Sequence, residues 1–462
     1  MNDNSDSIAA IATPTGEGGI SIIRISGADA LPIALKLFRT PAGKPTNDIE
    51  PYRAHFGAIH DPATGQCIDE VILTWFKAPK SYTAEDVVEI GAHGGMFVTS
   101  RILALALDQG ARLAEPGEFT RRAFMNGRID LSQAEGVADL ISAASEKALQ
   151  SAVGQLKGHL SQKLSDLYDR LLSVLSQIEA AIDFSEEGLN FQNNEVSTNE
   201  VRAVRDEVDA LVRSYQQGKI FREGASVALV GKPNVGKSSL LNALLKEDRA
   251  IVTPHPGTTR DTLEERIRIR DTHINIIDSA GLRNHPETIE EEGIRRTRAA
   301  IERADLCLVI FDRSQPLDAN DDLICREVGN KSKLVVINKC DLTADWSPDD
   351  LKSMIPDAAE PILISAKEQN GLDTLIDAIH RNTIHEVQSG EAIFITRERH
   401  RNHLVQASES LNKTLDSLEQ NLSEEFVATD LTIAMDHIAA ILGKSIEEDL
   451  LDQIFNVFCI GK

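Results

Sequence analysis

Apolar and polar positions along the chain fall into three successive textures. From Ile8 to about Asn126, short apolar or alternating runs are bounded by Pro, Gly and Asp: IAAIAT, ISIIRIS after the turn TPTGEGG, VILTWF at 71–76 and DVVEI at 86–90. Such runs predict strands, and VTSRILALAL at 98–107 predicts a helix, so residues 1–126 read as a mixed α+β domain. From about Gly127 the period changes. Leu149, Val153, Leu156, Leu160, Leu164, Leu167, Leu171, Val174, Ile178 and Ile182 recur at steps of three and four. That spacing predicts one apolar stripe along a helix of about ten turns. A second amphipathic stretch runs through Val201, Val204, Val208, Leu211 and Tyr215, and both predict packing in a helical bundle.

From Ala225 to about His380 the pattern becomes strand–helix alternation. SVALVG (226–231), INIID (274–278), LCLVIF (306–311), LVVIN (334–338) and PILIS (361–365) are separated by longer helical stretches, the signature of a parallel α/β sheet. Helical text returns after residue 384, at 398–421, 426–442 and 445–458. Neither helical flank offers a closed core alone, so the α/β unit is read as inserted into one helical domain built from both. The expected fold is multidomain, α+β and α/β: an N-terminal domain (1–126), a helical domain in two parts (127–222 and 384–462), and the inserted domain (223–383).

Charge and cysteine usage narrow the picture. Lys and Arg number 48 against 72 Asp and Glu, a net charge of −24, and segments 127–222 and 384–462 together hold −13 of it. A chain of this field does not grip nucleic acid through its overall charge, since phosphate binding depends on Lys and Arg. Cys67, Cys307, Cys325, Cys340 and Cys459 are dispersed and form no CxxC pair, which predicts reduced thiols and no disulfide framework. The polar, acidic start MNDNSDS is unlike a signal peptide, and the longest apolar runs are too short to span a bilayer. A cytoplasmic location is the expectation.

The chemistry sits in the α/β segment. Gly231 to Ser238 (GKPNVGKS) fits GxxxxGKS/T directly after an apolar strand and before the helical run SSLLNALL. Glycines let backbone N–H groups turn inward, the helix N-terminus faces the anion, Lys237 neutralises β/γ oxygens, and the Ser238 hydroxyl ligates Mg²⁺. Asn234, Val235, Gly236, Lys237, Ser238 and Ser239 are the expected phosphate contacts. Four further elements follow in the order of a GTPase domain. Gly257-Thr258-Thr259-Arg260-Asp261 offers Thr259 for Mg²⁺, with Thr258 beside it. Asp278-Ser279-Ala280-Gly281 ends a strand and brings a carboxylate and an amide to the phosphates. Asn338-Lys339-Cys340-Asp341 closes another strand, where an Asp accepts two hydrogen bonds from guanine that adenine lacks. Ser365-Ala366-Lys367 supplies the loop over the base. One position is silent: many GTPases orient the attacking water with Gln after the DxxG glycine, but Leu282 stands there. Hydrolysis therefore needs another polar group and another cation. Glu290 is a candidate, and a solvated helix start at 287–292 is the alternative reading.

These motifs on this layout resemble the MnmE (TrmE) family of tRNA-modification GTPases over nearly the whole chain. The most specific parts lie outside the GTPase segment: IATPTGEGGISIIRISG at 11–27, EPGEFTRRAFMNGRIDLSQAE at 115–135, and the terminal FCIGK at 458–462. The resemblance implies a homodimer with an N-terminal folate-binding domain, a helical domain and an inserted P-loop GTPase domain. It implies modification of C5 of the tRNA wobble uridine to an aminomethyl or carboxymethylaminomethyl form. The work is shared with an FAD-dependent MnmG-type partner in a heterotetramer, and the one-carbon unit comes from a tetrahydrofolate (5-formyl or 5,10-methylene form). By the same resemblance Arg24, Glu89, Arg128 and Lys462 belong to the folate site, although the family commonly has Lys where Arg128 stands. Asn234 and a loop containing Thr253, His255 and Thr258 hold K⁺, Thr253 also meets the nucleotide, and Glu290 becomes the catalytic acid/base. Cys459 matches the family's terminal cysteine, either a functional thiol or a plain buried one. A GTP-switched RNA-binding or ribosome-assembly protein is the competing class, but it calls for an RNA-binding appendage such as a KH GXXG loop, and residues after 384 carry none. Given the acidic flanks, much of the basic surface for tRNA is expected to come from the partner.

Overall fold

In the computed structural model the described residues are 6–14, 16–46, 48–183, 195–247, 264–270, 272–278, 290–355, 360–383, 393–420, 422–444, 448–456 and 458–462. They divide into two compact units. One comprises 1–138, 155–193 and 420–462; the other comprises 139–154 and 194–419.

The first unit contains the strands Ile8–Ile11 (β1), Gly18–Ser26 (β2), Phe38–Arg39 (β3), Ala54–His60 (β4), Cys67–Phe76 (β5), Val87–Gly94 (β6) and Arg112–Leu113 (β7). They form one sheet in the order β3-β4-β5-β6-β2-β1-β7. Helices Ala30–Leu37 (α1) and Met96–Asp108 (α2) cover one face, where Ile33, Leu37, Ile102 and Leu105 meet Ile23, Ile25, Val88 and Ile90. Because side chains alternate along a strand, burying Ile23 opposite Ile90 and Ile25 opposite Val88 turns the intervening pair, Arg24 and Glu89, to the other face. Helices Glu118–Met125 (α3) and Leu131–Ser142 (α4) follow the sheet.

The long apolar stripe does not form one helix. It splits into Glu146–Leu156 (α5) and His159–Asp183 (α6), with Gly158 at φ +81° between them. The Gly158 amide donates to the Gln155 carbonyl at 2.9 Å, a turn that ends one helix, and its own carbonyl accepts from Gln162 to start the next. The heptad-like spacing continues through the break, which is why periodicity alone reads it as continuous.

The second unit holds helix Glu195–Glu223 (α7) and a six-stranded sheet. Its strands are Ala225–Val230 (β8), Glu264–Ile269 (β9), Thr272–Asp278 (β10), Leu306–Asp312 (β11), Lys333–Asn338 (β12) and Ile362–Leu363 (β13), in the order β13-β12-β11-β8-β10-β9. All neighbours are parallel except the edge pair β9–β10. Helices Lys237–Glu247 (α8), Glu290–Arg303 (α9), Ala319–Val328 (α10) and Leu372–Thr383 (α11) accompany the strands. Alternate residues serve two cores: Val227 and Leu229 join α8 and α11, while Ala228 and Val230 join α9 and α10. Covering on both faces is why β11 reads as an unbroken apolar run and is buried throughout. Helix Glu398–Glu419 (α12) packs against α7 in this unit, and Glu424–Leu442 (α13) packs against α6 in the other. The last helix, Glu448–Phe455 (α14), leads into the C-terminal tail.

Candidate functional site

In a parallel sheet every strand ends on the same edge, and loops leaving that edge can converge on one ligand. The loop 231–236 leaves β8 there, Asn338 ends β12, and Ser365 follows β13. Asn234 at φ +65° and Gly236 at φ +99° give the first loop its inward curl. A Cβ on Gly236 would stand 2.3 Å from the Asn338 Nδ2, so only glycine fits. Asn338, 2% exposed, ties three loops together: its Nδ2 donates to the Val235 carbonyl at 2.8 Å, and its Oδ1 accepts from the Ala366 amide at 3.0 Å. Lys237 lies back over the loop, its Nζ donating to the carbonyls of Gly231 (2.6 Å) and Lys232 (2.8 Å).

Asp341 presents its carboxylate on the exposed side of this edge, with Oδ1 accepting from the Ser365 hydroxyl at 2.6 Å. The Ser365 bond holds the Asp341 carboxyl below the usual aspartate range, so it stays an acceptor at neutral pH. Ser238 and Ser239 are exposed at the first turn of α8, where the amides of a helix start face an anion favourably. Lys339, at φ +62°, pairs with Asp312 at 2.6 Å.

A second concave site lies in the first unit. A cavity of about 470 Å³ is lined by Phe76, Tyr82, Val87, Glu89 and Arg128. Arg24 donates through Nε to Glu89 Oε1 at 2.9 Å and through a terminal nitrogen to the Gly461 carbonyl at 3.2 Å. The guanidinium groups of Arg24 and Arg128 stand 5.3 and 5.1 Å from the Tyr82 ring centre, and Arg128 donates to the Tyr82 carbonyl at 2.6 Å. The C-terminal tail is built into this place. Ile460 pairs with Pro116, and Gly461 at φ +95° sits so close that a Cβ would be 2.4 Å from the Ile11 carbonyl. Burial, reinforced by the Arg24 charge, pulls the Lys462 ammonium below the usual lysine range. Cys459 is exposed, which removes the plain buried reading for this thiol.

The description "GTP-binding protein TrmE N-terminus" matches residues 7–128, and "MnmE helical domain" matches 131–459. The tRNA modification GTPase MnmE of Alkaliphilus metalliredigens is 43% identical over 461 residues, covering 99% of each chain. This chain belongs to the MnmE (TrmE) family. MnmE of Bacillus velezensis is 40% identical over 460 residues, covering 99% of this chain and 100% of that one. A solved structure of Era from Aquifex aeolicus bound to GDP and AlF4⁻ is 27% identical, with a TM-score of 0.28, and covers 40% of this chain and 66% of that one. As an MnmE family member the chain is a GTP hydrolase that binds GTP.

Against that membership, the structure brings Asn234, Val235, Gly236, Lys237, Ser238, Ser239, Asn338, Lys339, Asp341, Ser365 and Ala366 to one edge of the second unit's sheet. It brings Arg24, Glu89, Arg128 and Lys462 to one region of the first unit. Asp278 ends β10 on the same edge of the sheet and Glu290 begins α9, and only their backbone is described. Thr253, His255, Thr258, Thr259, Ser279, Ala280 and Gly281 lie outside the described residues. Sequence reasoning missed Tyr82, whose ring both arginines face, and Lys232 and Asp312, whose ion pairs anchor the loops that follow β8 and β12. The signal for Asp312 was present as an acidic residue closing the apolar run LCLVIF.

Among the described residues no helix is long and apolar enough to cross a membrane, and no three His, Cys, Asp or Glu side chains cluster as a metal site.

Proposed function

We propose that this chain is a K⁺-stimulated GTPase of the cytoplasm that works as a homodimer with an FAD-dependent MnmG-type partner in a heterotetramer. Together they add an aminomethyl or carboxymethylaminomethyl group at C5 of the tRNA wobble uridine, using a tetrahydrofolate one-carbon unit. The observation that carries the folate reading is the cavity beside Arg24, Glu89 and Arg128, with the CIGK tail fixed at its side. Its donor set suits the ligand. A pterin edge presents N–H donors to a carboxylate such as Glu89, aromatic walls accept a flat ring, and a glutamyl tail suits an arginine such as Arg128. Exposed Cys459 lies in the same tail and offers a thiol able to act as a nucleophile or ligand.

On the nucleotide side, Lys237 exchanges two loop carbonyls for phosphate oxygens, and the Ser238 hydroxyl and Thr259 fit Mg²⁺. Asn234, already held in a left-handed conformation, offers its side-chain oxygen to K⁺, and Thr253, His255 and Thr258 are the further oxygen and nitrogen donors the family resemblance assigns to it. K⁺ supplies the positive charge that an arginine finger would otherwise bring. Glu290 takes the acid/base role that Leu282 cannot. Hydrolysis then drives the conformational change coupled to modification.

Calorimetric titration of the full chain with 5-formyltetrahydrofolate tests the reading. Saturable binding that weakens strongly in Glu89→Gln and Arg128→Ala is expected. The full chain is needed because Arg128 and the tail lie outside 1–126. No detectable binding to the wild type refutes the folate assignment.

A further inference from the structure

The connection leaving β11 contributes none of the nucleotide motifs, yet the lysines of two motif loops are anchored to it. Asp312, the last residue of β11, is 5% exposed. Its Oδ2 accepts from Lys339 Nζ at 2.6 Å, and its Oδ1 accepts from the Ser314 amide at 2.9 Å and hydroxyl at 2.7 Å. The Trp346 indole donates to the Asp312 carbonyl at 2.9 Å, so the backbone of this carboxylate is fixed as well. Six residues further on, Asp318 caps α10, and Asp321 closes the capping box by accepting from the Asp318 amide. The same two carboxylates hold Lys232 of the phosphate loop, with Nζ at 3.0 Å from Asp318 and 2.6 Å from Asp321.

Each lysine sits in a loop whose backbone is otherwise costly. Lys339 is left-handed at φ +62°, and Lys232 lies two residues before Asn234 at φ +65°. A fixed carboxylate that captures the side chain selects that backbone, because a charge-assisted bond to a buried acceptor is lost in any other. We infer that the β11–α10 connection is the positioning element of the nucleotide site: Asp312 sets the base-reading loop through Lys339, and Asp321 sets the phosphate loop through Lys232. This rests on the reading of that edge as the guanine-nucleotide site. Asp312 and Asp321 act through the lysines and touch no nucleotide themselves.

The test is a pair of double-mutant cycles on the full chain, read as affinity for fluorescent GDP and for the inosine analogue, which lacks the 2-amino group. Asp312→Asn should weaken GDP by about tenfold, and in a Lys339→Met background it should cause no further loss. It should also narrow the preference for GDP over IDP, a ratio that general destabilisation does not move. Asp321→Asn should weaken GDP with the GDP/IDP ratio kept, and should be silent in Lys232→Met. Additive cycles, or an unchanged ratio in a folded Asp312→Asn, overturn the inference. Should Asp312→Asn fail to fold, Lys339→Met alone is read: a narrowed ratio supports the inference and an unchanged one overturns it. Wild-type protein that binds ADP as well as GDP would instead refute the nucleotide reading, a separate failure.

Discussion

Asn338→Ala removes one small side chain and, with it, the two buried bonds that tie the phosphate loop and the 365–367 loop to the end of β12. The Val235 carbonyl loses a donor at 2.8 Å and the Ala366 amide loses an acceptor at 3.0 Å, both in a site closed to water. A buried polar group left without its partner costs about 1–3 kcal/mol, so the pair predicts a loss of about 3 kcal/mol from the second unit. That is about a hundredfold in its folding equilibrium. Of the chain's two tryptophans, Trp346 lies in the second unit, in edge contact with Phe311, and Trp75 lies in the first. Urea unfolding followed by Trp346 fluorescence in a Trp75→Phe background therefore isolates the relevant transition. GDP affinity should fall in the same variant, because the loops proposed to read phosphate and base are no longer held in register. A loss below about 1 kcal/mol with unchanged GDP affinity would refute the claim that this side chain joins the loops.

Asp341→Asn replaces one acceptor with a donor, so GDP affinity should drop by about 10²-fold or more while the xanthine nucleotide, which carries an acceptor at C2, gains. Competition binding with the two diphosphates reads this directly. Glu290→Ala should lower GTP turnover by about 10²–10⁴-fold with nucleotide affinity nearly kept, measured by phosphate release and equilibrium binding. Replacing K⁺ with Na⁺ should slow the same hydrolysis sharply, and equal rates would remove the cation role of Asn234. In the first unit, burial would raise the Asp6 and Glu118 carboxyls, but the Arg112 and Arg122 guanidiniums outweigh it and hold both low. A depressed folded pKa means their stabilisation is complete above the ordinary values of 3.8 and 4.5 and is lost as pH falls through the folded ones. Thermal stability should stay level down to about pH 4.5 and then fall, and Glu118→Gln should shrink that acid limb.

How legible the molecule is from its sequence depends on the range of the interaction. The parallel sheet was visible because strands buried on both faces leave apolar runs, and the phosphate loop because its curl demands glycine at fixed offsets. Strand β9 was not anticipated, although Arg266, Ile267, Arg268 and Ile269 alternate as an edge strand should, with the isoleucines buried. The break at Gly158 was hidden because a single left-handed residue ends a helix without disturbing the apolar stripe on either side. Arg24 and Glu89 could be named only by resemblance. Their pairing follows from the register of β2 against β6, and register is set by which residues face the core. The docking of Gly461 onto Ile11 joins the two ends of the chain and leaves no local trace in either. Lys232 and Asp312 escaped for a related reason: each is an ordinary charged residue until the fold supplies its partner.

On the proposed function, this GTPase serves a folate-dependent modification of tRNA. The most direct test is mass-spectrometric nucleoside analysis of tRNA from cells lacking this protein, with and without its gene restored. Loss of C5 aminomethyl- and carboxymethylaminomethyl-type uridines, recovered by the wild-type chain and not by Glu290→Ala or Arg128→Ala, is the predicted result. Wobble uridines that remain fully modified in the absence of the protein would rule out this role in tRNA modification.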